Sequence, residues 1–507
     1  MKVALINVKA NYDCMEPLGI LYIGTYLKKM GHEVQLTDVF FNEDDYLKRI
    51  KSFGPKLIGL SVTTPSYVPM QRMVPQLRAA FSDAFICAGG VHPTNLPELT
   101  MQDNPGLDFV VAGEGEYVLK QCIERIAQEK DFTGLKGVAF RKNNSVVIDG
   151  YAQRIEDLDD LPIPERGLLD TFEWYLSPPG NIRGKVFSRI ARVITSRGCP
   201  YNCIFCTSHS VFGRKVRRRS IENVLEELKY LQDVYHIRGF YFVDDTFTVD
   251  KKWVMRFCEE LKKRKMNFVW TAQVRVDTVD EPTLRMMRDT GCLQVDIGVE
   301  SGSDKVLRTI KKGITTQQVK NIFAIVHKLK LRNMASFIIG HPGEFKDDIS
   351  KTRQLVREIK PDWAMFNILS PLPGSEIFEM AKANQWFRKD YLDFSGDWSV
   401  KTSEDPVITI NFTKEELVAM RADLDREFFV HNYFLYFIYF LKYPIYFLKL
   451  IISFTKYLPQ THSLILGYIK SGRPRMIIEV AYQKFNQDLV KEMRARHNKR
   501  RAKHEKK

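Results

Sequence analysis

Cysteine is scarce in this chain of 507 residues. There are eight, too few for a disulfide scaffold and more in keeping with a reducing compartment. A basic segment followed by a long apolar run is missing from the start, MKVALINVKA, so no signal peptide is expected and a cytoplasmic protein is. No uninterrupted apolar run approaches the ~20 residues that span a bilayer. No G-x-G-x-x-G follows the first predicted strand, which disfavours a nicotinamide or flavin dinucleotide. The separated cysteine pairs of a common zinc site are absent as well.

What the chain does have is length and an uneven charge. Its size calls for two or three domains, and 44% hydrophobic with 27% charged residues is a globular balance. The formal net charge is +15, and the last seventeen residues alone hold nine Lys/Arg against two Glu. Such a tail suits an anionic membrane or nucleic acid, and equally a solvated end.

Residues 1–130 alternate short apolar runs (3–8, 33–39, 57–62, 84–90, 108–113) with helical patterns. Continuous apolar strands between helices predict a doubly wound, Rossmann-like α/β domain, whose ligand lies beyond the strand ends. Those ends carry Ser61, Thr63, Gly89, Gly90, Val91 and Gly113. The glycines allow close ligand approach and serve a tight turn just as well. Residues 131–190, with the acidic DLDDLPIPER, are expected to be a connector. Residues 191–390 repeat six β-α units, with strand-like runs at 192–196, 239–243, 267–271, 293–298, 334–340 and 363–369. They predict a partial (β/α)6 TIM-like barrel with its chemistry at the C-terminal strand ends. Residues 391–507 are expected to be largely helical. The aromatic stretch 428–458, cut by Lys442, Pro444 and Lys449, fits contact with a membrane surface or packing over the barrel.

After the first barrel run comes GCPYNCIFC, with Cys199, Cys203 and Cys206. His209 follows three positions later, so a Cys3His zinc site competes with a 4Fe–4S cluster. In the second case three thiolates would leave one iron open to a small chelating ligand. Cys14, Cys87, Cys122, Cys258 and Cys292 read as small buried residues.

The C-x3-C-x2-C loop, with Phe205 before its last cysteine, closely resembles the radical S-adenosylmethionine (SAM) superfamily. RRRSIENVLEEL (217–228), FVDDTF (242–247), GVESGSDKVL (298–307), FIIGHPGE (337–344) and LSPLPGSE (369–376) continue the likeness. With the α/β domain in front, the chain resembles the cobalamin-binding subgroup, which includes methylases, the anaerobic magnesium-protoporphyrin ester cyclase and hopanoid-modifying enzymes. The resemblance implies that Cys199, Cys203 and Cys206 hold a 4Fe–4S cluster. It implies that SAM chelates the open iron and is cleaved to methionine and a 5′-deoxyadenosyl radical. It further implies that cobalamin takes part in methylation or another modification of an unactivated carbon. Asp244 or Asp245, standing where many members carry G-G-E, is expected to meet the SAM ammonium, with Phe205, Glu300, Ser301 and Gly340 also around SAM. Arg275 and Asp277 are expected near SAM or paired with each other. Ser61, Thr63, Gly89, Gly90, Val91 and Gly113 are the expected cobalamin contacts. The D-x-H-x-x-G signature is absent, so no axial histidine is assigned, and His92 reads as a surface or hydrogen-bonding loop residue. The expected partners are an apolar, lipid- or tetrapyrrole-like substrate and an electron donor such as a flavodoxin or ferredoxin. No specific nucleic acid is expected. The competing readings are a radical SAM enzyme whose first domain is a vestige that no longer binds cobalamin, and a zinc-stabilised nucleic-acid binder using the tail and Arg214, Lys215, Arg217, Arg218 and Arg219.

Overall fold

The computed structural model describes residues 1–8, 16–39, 46–169, 172–176, 181–182, 185–186, 189–394, 398 and 405–428. The aromatic stretch and basic tail beyond 428 therefore lie outside the described residues, as does Cys14. Within them, no helix is long and apolar enough to cross a membrane.

The first sheet contains β1 (Lys2–Asn7), β2 (Glu33–Asp38), β3 (Leu57–Ser61), β4 (Phe85–Gly89), β5 (Phe109–Val111), β6 (Val138–Lys142) and β7 (Ser145–Ile148). Its order is β2-β1-β3-β4-β5-β6-β7, and the first five strands pair in parallel. Alternate residues of β1 feed opposite layers: Val3 and Leu5 join one core, Ala4 and Ile6 the other. Both faces are covered, so these strands read as unbroken apolar runs. Chain order reverses between β1 and β3, and their C-terminal ends frame a crevice.

The connector predicted from residue 131 is partly something else. β6 and β7 form an antiparallel hairpin that extends the sheet. Its tip is Asn143-Asn144, both at positive φ (51° and 61°), as a two-residue hairpin turn requires.

The second sheet holds Ile190–Val193, Gly239–Phe242, Val269–Val274, Cys292–Glu300, Arg332–Ile339 and Trp363–Ile368. They pair in sequence order, all in parallel, as a partial barrel. Phe240, Phe242, Trp270, Ile297, Phe337 and Phe366 pack outward in the large core. The intervening positions turn inward by the two-residue period, and there Tyr241 donates to Asp296 at 3.2 Å and Gln294 to Asp296 at 2.8 Å. The helix Lys414–Phe428 packs against the last strand, bringing Phe428 to 5.8 Å from Phe366.

Buried ion pairs lash the two sheets together. Arg217 grips Glu114 with two hydrogen bonds of 2.7 and 2.8 Å. Arg197 reaches Glu114 at 3.3 Å and Glu116 at 2.6 Å. Arg166, in the connector, meets Glu227 at 2.6 Å, and Arg219 closes on the other oxygen of that carboxylate. This corrects the reading of residues 214–219 as an exposed cationic patch. Arg217 and Arg219 are buried, Arg218 lies 4.7 Å over the Trp253 ring, and of the five cations Arg214 and Lys215 stand exposed.

Candidate active site

The thiol loop leaves the first barrel strand at Gly198, whose φ is +96° and whose absent Cβ would lie 2.5 Å from the Lys215 carbonyl. Only glycine fits this turn. The loop is then pinned at its middle. Ile204, almost fully buried, donates its N–H to Ile310 O (3.2 Å) and accepts from Ile377 N–H (2.9 Å). Anchoring Ile204 fixes its neighbours Cys203 and Phe205. Cys203 is buried, while Cys199 and Cys206 are half-buried, and all three are free thiols. Burial pushes the Cys199 thiol up and that of Cys206 to about 11. Unliganded, these two thiols are protonated, and metal binding would release their protons.

Among the described residues no three His, Cys, Asp or Glu side chains converge on a single-ion site. The geometry therefore gives the Cys3His zinc alternative no support. It does not count against a cube, whose three irons take one thiolate each and hold them farther apart. The donor set and the apolar anchoring of the loop fit a cluster bound by Cys199, Cys203 and Cys206.

The adjacent aspartates separate sharply. Asp244 is 1% exposed and accepts from the Thr195 N–H, the Thr195 hydroxyl at 2.8 Å and the Ser196 hydroxyl. Its carboxylate is committed to the scaffold under the loop. Asp245 faces the open side and accepts from the hydroxyl of Ser208, two residues past Cys206. Glu300 sits at a bulge with φ +69°, and Lys312 answers its buried charge at 2.7 Å. Lys312 also lies 5.9 Å from the Phe205 ring. Ser301 is fully buried and accepts from the Ser303 N–H, so it faces the scaffold. Gly340, at φ +92°, and His341 both donate backbone N–H groups to Glu344. Burial raises that carboxyl to about 7 despite the two bonds. His341 is fully buried, tilted 6.0 Å from Phe205, and burial lowers its ring to about 3.

The β3–β5 ends open onto a cavity of ≈ 260 Å³. Ser61, Thr63, Gly89, Gly90, Val91 and Gly113 all line it, and it runs down to Leu5, Gly59 and Cys87 in the middle of the strands. Its far wall is Ile194, Arg197, Val211 and Phe212 of the barrel domain. Arg197 stands two residues before Cys199, so cavity and thiol loop share a wall. His92 points elsewhere. It stacks on Tyr67 at 4.0 Å, meets the edge of Phe394 and is fully buried. Sequence reasoning missed the barrel-side wall and Lys312, since neither is near its partners in the chain. It left open whether Arg275 and Asp277 pair, and they do, through two bonds of 3.0 and 3.1 Å.

Comparison with known proteins matches residues 193–356 to the radical SAM superfamily and residues 4–123 to the B12 binding domain. The chain is 33% identical over 405 residues, 79% of its length and 85% of the relative's, to a protein of Pyrococcus horikoshii named an uncharacterized methyltransferase. It is 28% identical over 377 residues, 72% of its length and 66% of the relative's, to the anaerobic magnesium-protoporphyrin IX monomethyl ester cyclase of Rubrivivax gelatinosus. The solved structure of the cobalamin-dependent SAM radical enzyme OxsB, with aqua-cobalamin and SAM bound, superimposes with a TM-score of 0.69 at 18% identity. The match covers 98% of this chain and 81% of that one.

Proposed function

This chain belongs to the cobalamin-binding group of the radical SAM superfamily, and on that premise we propose that it transfers a methyl group to a small, hydrogen-bonding organic molecule held at the barrel mouth. It is an enzyme, and its cofactors are a 4Fe–4S cluster, SAM and cobalamin. Bound together, they supply a 5′-deoxyadenosyl radical to abstract hydrogen from carbon and a methyl group to replace it.

The chain's own residues divide the work. Cys199, Cys203 and Cys206 hold the cluster. Asp245, open beside the loop, accepts from the SAM ammonium, a charge-assisted contact that Asp244 is too committed to make. Phe205 and the Gly340 turn flank the nucleoside, and Glu300 presents its carboxylate from between Lys312 and the barrel mouth. On the other side Ser61, Thr63, Gly89, Gly90, Val91 and Gly113 line a slot too small for a corrin ring and suited to the narrow nucleotide tail of cobalamin. The macrocycle would then lie over the strand ends, facing the barrel.

One observation carries the reading: the cavity and the thiol loop share the wall built on Arg197. This supports a group carried over the first domain standing next to the site where a radical is made. The expectation of an apolar substrate rests on the aromatic stretch outside the described residues. The inward-facing Tyr241, Gln273, Gln294 and Asp296, joined by hydrogen bonds, favour a polar one.

Anaerobic reconstitution tests the proposal. The protein should take up about four irons per chain, and Cys203→Ala should lose them. With SAM, reductant, cobalamin and substrate, both 5′-deoxyadenosine and S-adenosylhomocysteine should form. Full iron in the variant sinks the cluster ligands, and deoxyadenosine without S-adenosylhomocysteine sinks methyl transfer.

A further inference from the structure

Arg275 follows the strand Val269–Val274, and its guanidinium ends against the thiol loop. One terminal nitrogen lies 3.9 Å from Cys203 Sγ. The other terminal nitrogen donates to Lys312 O at 2.6 Å, and Asp277 takes the remaining fork. The plane stacks on Tyr201, its central carbon 3.4 Å from the ring centroid. Tyr201 is itself part of the loop, between Cys199 and Cys203. Arg275 is 6% exposed. Its backbone is pinned too, with its N–H donating to the Thr278 hydroxyl and its carbonyl accepting from the Thr278 N–H. Cys199, by contrast, has the neutral Thr246 hydroxyl at 4.0 Å.

A buried guanidinium held on four sides is a costly arrangement unless its charge is used. Arginine does not deprotonate in a protein, so the charge is permanent. The reading above puts a cluster on these thiols. Three thiolates on a 2+ cube give a net charge of −1, and one added electron makes it −2. A cation in hydrogen-bond range of one thiolate, in surroundings of low dielectric, favours the more negative state. Asp277 sits on the opposite edge of the guanidinium and weakens this effect without cancelling it, being farther from the sulfur.

We propose that Arg275 is a positioning residue for the cluster, a fixed donor to the Cys203 thiolate that raises the reduction midpoint and so eases entry of the electron that starts SAM cleavage. The electron comes from an external one-electron reductant, and no bond forms or breaks in that step. The inference rests on the proposed cluster ligation but is tested separately from it.

The experiment is a dithionite titration of the reconstituted full-length protein without SAM, followed by electron paramagnetic resonance. Iron content and absorbance establish first that each variant carries its cluster. Arg275→Met should make reduction at least tenfold less favourable, about 59 mV for one electron. Arg275→Lys should fall between that variant and the native protein. Asp277→Asn keeps the arginine and removes its counter-charge, so its midpoint should rise. Opposite shifts at the two positions are a result that general damage to the loop would not produce, and Asp277→Asn decides the matter if Arg275→Met fails to assemble. An unchanged midpoint in Arg275→Met, or a fall in Asp277→Asn, overturns the proposal. So does a weaker SAM affinity with the midpoint unmoved, which would make Arg275 a SAM contact. Loss of iron in Cys203→Ala is a different result and bears on the ligation alone.

Discussion

Replacing Arg217 with methionine should uncouple the two halves of the molecule. Arg217 joins residues 103 positions apart in the chain through its double bond to Glu114. It also donates to Ile155 O at 2.6 Å and Phe212 O at 2.9 Å. Methionine keeps the apolar stem and removes every donor. Breaking a buried pair while leaving its partner costs about 3–5 kcal/mol. Glu114 would still hold Arg197 at 3.3 Å and the Ile155 N–H at 2.8 Å, so the low end applies, about 3 kcal/mol. Adding Glu114→Gln removes the stranded charge, and Arg197 keeps Glu116. The double variant should therefore be less damaged than the two single losses summed, with a coupling of about 1–3 kcal/mol. Tryptophan reports the separation, because the first tryptophan is Trp174 and residues 1–130 hold none. In urea the native protein should lose fluorescence and far-ultraviolet dichroism together, whereas Arg217→Met should lose dichroism first. Burial pushes the Glu114 carboxyl up, but the Arg217 hydrogen bonds and the Arg197 charge outweigh it and hold the group below its ordinary 4.5. The pair therefore contributes fully above pH 4.5 and fades as the pH falls through the depressed value, so the deficit should shrink in acid. Coincident transitions in Arg217→Met, a loss under about 0.5 kcal/mol, or strict additivity would refute the account of the joint.

Further outcomes are expected at five positions. Glu344, raised by burial to about 7 from 4.5, binds a proton in the folded chain that the unfolded chain has released. Stability should fall as pH rises between those values, by up to about 3 kcal/mol, and Glu344→Gln should flatten that slope in a pH series of urea midpoints. Gly90 has φ +105° and ψ −172°, and a Cβ there would lie 2.5 Å from Val62 O, so Gly90→Ala should distort the slot and abolish cobalamin retention on gel filtration. Gly134, at φ +80° with open space around it, is the control, and its alanine variant should cost about 1 kcal/mol and retain cobalamin. Asp245→Asn should weaken SAM binding about tenfold in calorimetry without lowering the melting temperature. Asp244→Ala should cost about 2–3 kcal/mol by stranding the Thr195 and Ser196 donors.

Much of the architecture was legible in the linear order of residues, for a local reason. Unbroken apolar runs between helical patterns arise whenever a strand is covered on both faces, and the parallel strands of both sheets follow from that period. The spacing Cys199-x3-Cys203-x2-Cys206 is likewise set within one loop. The hairpin Val138–Ile148 was equally local, with Asn143-Asn144 between two apolar runs, and was hidden only by the connector around it. Charge pairing was not legible, because partners come from distant parts of the chain. Asp244 and Asp245 are neighbours with the same chemistry, and they differ only because Thr195, 49 residues earlier, comes to lie under one of them. Arg217 and Arg219 look like a solvated run until the fold supplies Glu114 and Glu227. The sequence by itself determined the parallel strands of both sheets and a three-thiolate loop, since backbone period and loop spacing depend on near neighbours. Only the tertiary structure decided which carboxylate stays open, which arginine meets the cysteines, and that the first domain's cavity shares a wall with the loop, since burial and Coulomb energy depend on distances that the chain order does not set.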